Sequence, residues 1–203
     1  LLNYMQSYVD ADKRFLSAIL AEPGSVDLLI ERGNQSVQMM TSGRTQDAKQ
    51  LKYQAELAGA FFNAALASQP DSPQALTAMV LYYTSTGDSA KALSYADGAV
   101  KAGPGYAAAH YSASMVFTAS AINSEREATR IRDAAKSGLT GEQRTLIATY
   151  ENDARELTKK SAAALKKAIS LDVYGLDGRP VPSLNEAFTY FARHGRIPYL
   201  VGP

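Results

Sequence analysis

Residues Pro70 to Pro104, PDSPQALTAMVLYYTSTGDSAKALSYADGAVKAGP, decide the fold. They read as two amphipathic helices joined by a tight turn, with a proline at each end. Leu76, Met79, Val80 and Tyr83 mark one apolar face, and Ala92, Leu93, Ala96, Ala99 and Val100 mark the other. Both sets recur at the three- and four-residue spacing that places side chains on one side of a helix. Between them, Gly87 can take the left-handed conformation that ends a helix, and Asp88 or Ser89 can cap the next. Small residues at 92, 96 and 99 let a neighbouring helix approach closely.

The second half of this pattern recurs. An Ala, a residue four on, another Ala at seven and a Pro at twelve occur at Ala92, Ala96, Ala99 and Pro104. The same offsets hold for Ala58, Phe62, Ala65 and Pro70, and for Ala11, Phe15, Ala18 and Pro23. With only 8 prolines in 203 residues, three such matches identify a repeated second helix. Counting from each proline places the partner helices. Six residues on are Leu29, Leu76 and His110; ten on are Gly33, Val80 and Ser114; thirteen on are Ser36, Tyr83 and Phe117. First helices are therefore predicted at 25–40, 72–86 and 106–121.

Helix, Gly-Asp turn, Ala-lined helix and closing Pro over 34 residues resemble the tetratricopeptide repeat (TPR). The family's signature places are held here by Leu76, Met79-Val80, Tyr83, Ala92, Ala96 and Pro104, with Leu for the usual Trp and Val80 for a small Gly. The resemblance implies an all-α, right-handed superhelical solenoid of antiparallel helix pairs, stacked so that neighbours bury one another's apolar faces.

On that frame residues 1–203 form a single TPR-like array. It opens with a lone helix, 2–22. Repeat 25–70 follows, its second helix lengthened to 44–69 because Pro23 to Pro70 spans 47 residues and not 34. The regular repeat is 71–104 and an enlarged one is 105–173. Within the latter, a short helix is expected at 124–136, then a long one at 141–171 opened by a Thr140/Gln143 capping box. Its end keeps the repeat offsets at Ser161, Leu165, Ala168 and Val173. A Gly/Pro-rich loop leads to a C-terminal helix, 183–194, and an apolar tail, 195–203.

Composition narrows function. The chain is 46% hydrophobic and 20% charged, ordinary for a protein with a packed core. A net charge of +1 gives no global case for nucleic acid or an anionic membrane. The absence of Cys removes disulfides and thiolate metal sites. No stretch is long and apolar enough to span a bilayer. The chain begins at Leu1 without a leader-like segment, which reads as a mature form or a fragment. The compartment stays unknown; the low-charge Ser/Thr/Tyr/Gln-rich helices lean toward a bacterial periplasm, cell envelope or secreted setting.

No catalytic constellation, cofactor motif or metal set stands out. His110 falls on a packing position, and His194 lies in the last turn of a helix, where a cation suits the dipole. Asp10/Asp12 and Glu151/Asp153 are two apart and point to different faces. Arg155, Lys159, Lys160, Lys166 and Lys167 on the long helix form a solvated face or a patch for an acidic partner.

In the TPR family the concave face is lined mainly by first helices. Carried onto this chain, that implies a neutral partner groove of Ile30, Asn34, Val37, Thr77, Leu81, Thr84, Tyr111 and Met115. It would hold an extended segment or a helix of a protein or peptide partner, or be filled by the chain's own long helix or tail. The expected function is a non-enzymatic protein–protein interaction scaffold. The alternative is a structural subunit forming a head-to-tail homo-oligomer, because the first helix lacks a partner before it and the last lacks one after it. Tyr4, Tyr8, Phe188, Phe191, Ile197, Tyr199 and Leu200 would then carry self-association.

Overall fold

A computed structural model describes residues 13–14, 17–43, 47–135 and 138–171. Every regular element among them is an α-helix, so the protein is all-α. By internal contacts the chain divides into two compact units, Leu1–Tyr95 and Ala96–Pro203. The expected helices 2–22 and 183–194 and the tail lie largely or wholly outside the described residues; of the first, 13–14 and 17–21 are helical.

The first unit holds α1 (Val26–Thr41), α2 (Ala48–Ser68), α3 (Pro73–Thr86) and the start of α4 (Ser89–Ala102). α2 begins later than the expected 44, because Asp47 caps it: the Lys49 N–H donates to Asp47 Oδ1 at 2.9 Å. α3 is closed at both ends by its own sequence. The Ser72 hydroxyl accepts the Ala75 N–H at 3.2 Å and Pro73 takes the first helical position, where its missing N–H costs nothing. At the other end Gly87 adopts φ 83°, and the Gly87 and Asp88 N–H groups donate to the Thr84 and Tyr83 carbonyls. This left-handed stop needs a residue without Cβ. Asp88 then caps α4 through the Lys91 N–H at 3.1 Å.

α1 packs on α2, α2 on α3, and α1 also on α3. Val37, Ala58, Phe62, Ala78 and Met79 form one core cluster, joined by Ile30, Leu66 and Tyr82. A second cluster, Val26, Leu29, Ala65 and Ala75, lies beside it. Phe62 fills the space over Gly33, where an added Cβ would stand 2.2 Å from the ring. The small residue of one helix and the large residue of its neighbour are thus one fitted pair.

The second unit contains α5 (Ala107–Ala134) and α6 (Gly141–Leu171). Tyr111 packs with Leu165, Ser114 bonds to Ser161, and Arg132 pairs with Glu151. Early residues of one helix therefore meet late residues of the other, and the pair is antiparallel. α5 corrects an expectation: the separate helices at 106–121 and 124–136 are one. Ala121-Ile122-Asn123-Ser124 contains no Gly or Pro, and Ile122 and Asn123 face outward, so no backbone group is diverted and the helix continues. The capping box of α6 forms in both directions: Thr140 N–H to Gln143 Oε1 at 2.9 Å and Gln143 N–H to Thr140 Oγ1 at 3.2 Å.

The repeated offsets are buried in the three later occurrences, whereas in the first the described Ala18 is half-buried. Ala58, Phe62 and Ala65, Ala92, Ala96 and Ala99, and Ser161, Leu165 and Ala168 are all core residues, while Pro70 and Pro104 stay exposed at turns.

Candidate functional site

The expected groove residues separate into three groups. In the first unit, Ile30 and Asn34 on α1 and Thr77 on α3 are half-buried, whereas Leu81 and Thr84 are exposed. Since α1 packs directly on α3, these five positions belong to two neighbouring helices. Leu81 is 44% exposed on a helix whose Ala75, Ala78, Met79 and Val80 are buried. Thr77 and Thr84 precede and follow it by one turn. Their hydroxyls donate to their own helix, Thr77 Oγ1 to the Pro73 carbonyl at 2.6 Å and Thr84 Oγ1 to the Val80 carbonyl at 2.8 Å. With their polar groups satisfied internally, the strip Thr77-Leu81-Thr84 carries no charge and little unmet hydrogen bonding.

Val37 lies elsewhere. It is part of the first core cluster and is not offered to solvent. Tyr111 and Met115 belong to the second unit. Tyr111 is fully buried against Leu165 and Ala168, with Met115 and Ile169 packed around it, so the long helix α6 covers these two positions. The self-association residues Tyr4, Tyr8, Phe188, Phe191, Ile197, Tyr199 and Leu200 lie outside the described residues.

Sequence reading missed an aromatic ladder behind the strip. Phe62 and Tyr82 meet edge to face at 6.3 Å, Tyr82 and Tyr83 at 5.0 Å, and Tyr83 stacks on Tyr95 at 5.4 Å. The Lys91 ammonium lies 4.9 Å from the Tyr83 centroid and 3.0 Å from Asp88. Two hydrogen bonds from Lys91, first its backbone N–H and then its ammonium, hold the Asp88 carboxyl below its ordinary range. Asp88 in turn holds the Lys91 ammonium above its ordinary value. Burial pushes the Tyr95 phenol up. The adjacent tyrosines at 82 and 83 were the available signal, since one of two consecutive helical residues must leave the core face.

His110 is buried, and its Nε2 lies 3.1 Å from the Pro104 carbonyl. A carbonyl only accepts, so Nε2 carries the hydrogen. The histidine ties the turn to the helix that follows it. Among the described residues no group of three or more His, Asp or Glu side chains is placed to hold a metal ion. None of the described helices is long and apolar enough to cross a membrane.

The class these observations define is an all-α protein with a neutral strip on the face of α3. Compared with protein-family models, with curated proteins and with solved structures, the chain matches none.

Proposed function

We propose that this protein is a non-enzymatic scaffold of the TPR type that binds a protein or peptide partner along the first helices of its repeats. The observation that carries the reading is the strip Thr77-Leu81-Thr84 on α3, with Leu81 exposed and both threonine hydroxyls turned onto their own helix. Ile30 and Asn34 extend it onto α1. A leucine left in water on an otherwise packed helix gains free energy when covered, at about 25 cal/mol per Å². The flanking threonine methyls widen the contact without adding a charge that would need pairing. The helix order α1–α2–α3, with α1 touching both of the others, supports the stacked-repeat reading, because each first helix in such an array meets its own second helix and the next first helix.

Binding surfaces of this kind concentrate affinity in a few central residues. Leu81→Glu and Thr77→Glu on a folded chain are expected to abolish capture of the partner taken by the wild type, with melting temperature unchanged. Retained capture by both variants would place binding elsewhere.

A further inference from the structure

The second half of α6 carries a surface unrelated to the α3 strip. From Leu157 to Leu171 it has four lysines and no acidic residue. Lys159, Lys160, Lys166 and Lys167 are all exposed, opposite the Ser161, Ala164, Leu165 and Ala168 side that packs into the core. Ala163 lies at their centre and is itself exposed. The lysines stand four and three residues before it and three and four after it, the spacings at which helix neighbours touch. The result is a shallow floor one methyl deep, ringed by four ammonium groups. Two of these are partly engaged: Lys159 with Glu156 at 2.7 Å, and Lys160 with Asp97 at 3.7 Å and with the Phe117 ring at 5.4 Å. Among the described residues Lys166 and Lys167 form no ion pair.

We propose that this face of α6 docks an acidic α-helix of a partner protein, laid alongside it with carboxylates at seven-residue intervals. The pattern itself has that period. Lys159 and Lys166 are seven apart, as are Lys160 and Lys167, and between the two rows run Glu156, Ala163 and Ser170, also seven apart. Ala163 and Ser170 are the small part of this seam, and Glu156 ends it with a carboxylate already engaged by Lys159; a small seam between charged rows is the arrangement by which one helix receives another and selects it by charge. The rows repeat at about 10.5 Å, the heptad length of an α-helix. Phosphates of one nucleic-acid strand advance only about 3.4 Å along the axis, and no aromatic side chain stands on this face to stack a base. No large apolar side chain is exposed between the lysines to enter a bilayer.

The test uses the full chain and a synthetic 21-residue helical peptide with glutamates in two heptad rows. Controls are the same peptide with lysines in those rows, a short DNA duplex, and phosphatidylserine vesicles. The glutamate peptide is expected to bind, the lysine peptide not. Lys166→Glu with Lys167→Glu should weaken glutamate-peptide binding at least tenfold and confer binding of the lysine peptide. Ala163→Trp, which leaves every charge in place, should also weaken it at least tenfold by blocking close approach. Both variants should keep the wild-type melting temperature. The proposal is overturned if the glutamate peptide does not bind, if the charge reversal leaves affinity unchanged, or if Ala163→Trp has no effect. Binding of duplex or vesicles as tightly as the peptide overturns it equally, since that is attraction to any polyanion.

Discussion

Gly33 and Phe62 are worth treating as one residue pair. Glycine inside a helix costs up to about 1 kcal/mol relative to alanine, so Gly33→Ala would stabilise α1 if nothing stood against it. The Phe62 ring stands where the Cβ would go, 2.2 Å away. Gly33→Ala is therefore expected to destabilise by about 1–3 kcal/mol in urea denaturation, the cost of overpacking a core. Phe62→Leu in the same chain should recover part of that loss, giving a non-additive double-mutant cycle. A stabilised Gly33→Ala would show that the two residues do not meet. Val80 stands where the repeat has Gly33, and Ala96 where it has Phe62, so bulk and smallness are exchanged between the two positions. Asp88 makes a second prediction at this scale. Its folded carboxyl lies below the ordinary 3.8, because Lys91 donates to it through backbone and side chain. The stability it adds is present above that ordinary value and is lost as pH falls through the depressed one. The melting-temperature difference between the wild type and Asp88→Ala should thus be flat near neutrality and shrink in the acid range below it. A difference that grows on acidification would contradict the cap.

At the scale of elements, helix ends are set by a few local hydrogen bonds. Thr140→Ala removes half of the reciprocal cap of α6 and should cost about 1 kcal/mol, read from the urea midpoint. An unchanged midpoint would mean that the first turn of α6 is held by packing instead. Such local devices are why much of the fold could be read from sequence. Ser72-Pro73, Thr86-Gly87-Asp88 and Thr140/Gln143 act within three or four residues, and α3 and α6 fall close to their expected bounds. The buried offsets Ala58-Phe62-Ala65 and Ala92-Ala96-Ala99 were legible for the same reason, as a helical period cut by proline. What stayed hidden depends on residues far apart in the chain. Ser161 Oγ lies 2.7 Å from Thr118 Oγ1 and 3.0 Å from Ser114 Oγ, and donates to the Ser114 carbonyl across 47 positions, which no local period announces. The break expected after residue 121 followed the end of the repeat period, but the helix continues through Asn123, which faces solvent and is tolerated there. Of the groove, Thr77, Leu81 and Thr84 were named only as what the family resemblance implies; Thr77 is half-buried and Leu81 and Thr84 are exposed. The burial of Val37 and Tyr111 was not legible, because a position on the inner edge of a helix is core or surface according to what the neighbouring helix brings to it.

At the scale of the molecule, the proposed binding face lies on α3. The surface free for contact in the first unit runs from Ile30 and Asn34 on α1 to Thr77, Leu81 and Thr84 on α3. In the second unit the corresponding positions Tyr111 and Met115 are covered by α6, so binding through first helices is expected to depend on the first unit. The measurement that tests this most directly is the affinity of the purified partner, isolated with the wild-type chain, for the wild type and for Leu81→Glu. Leu81→Glu is expected to form an at least tenfold weaker complex with an unchanged melting temperature. Equal affinity of the two folded proteins would contradict the proposal.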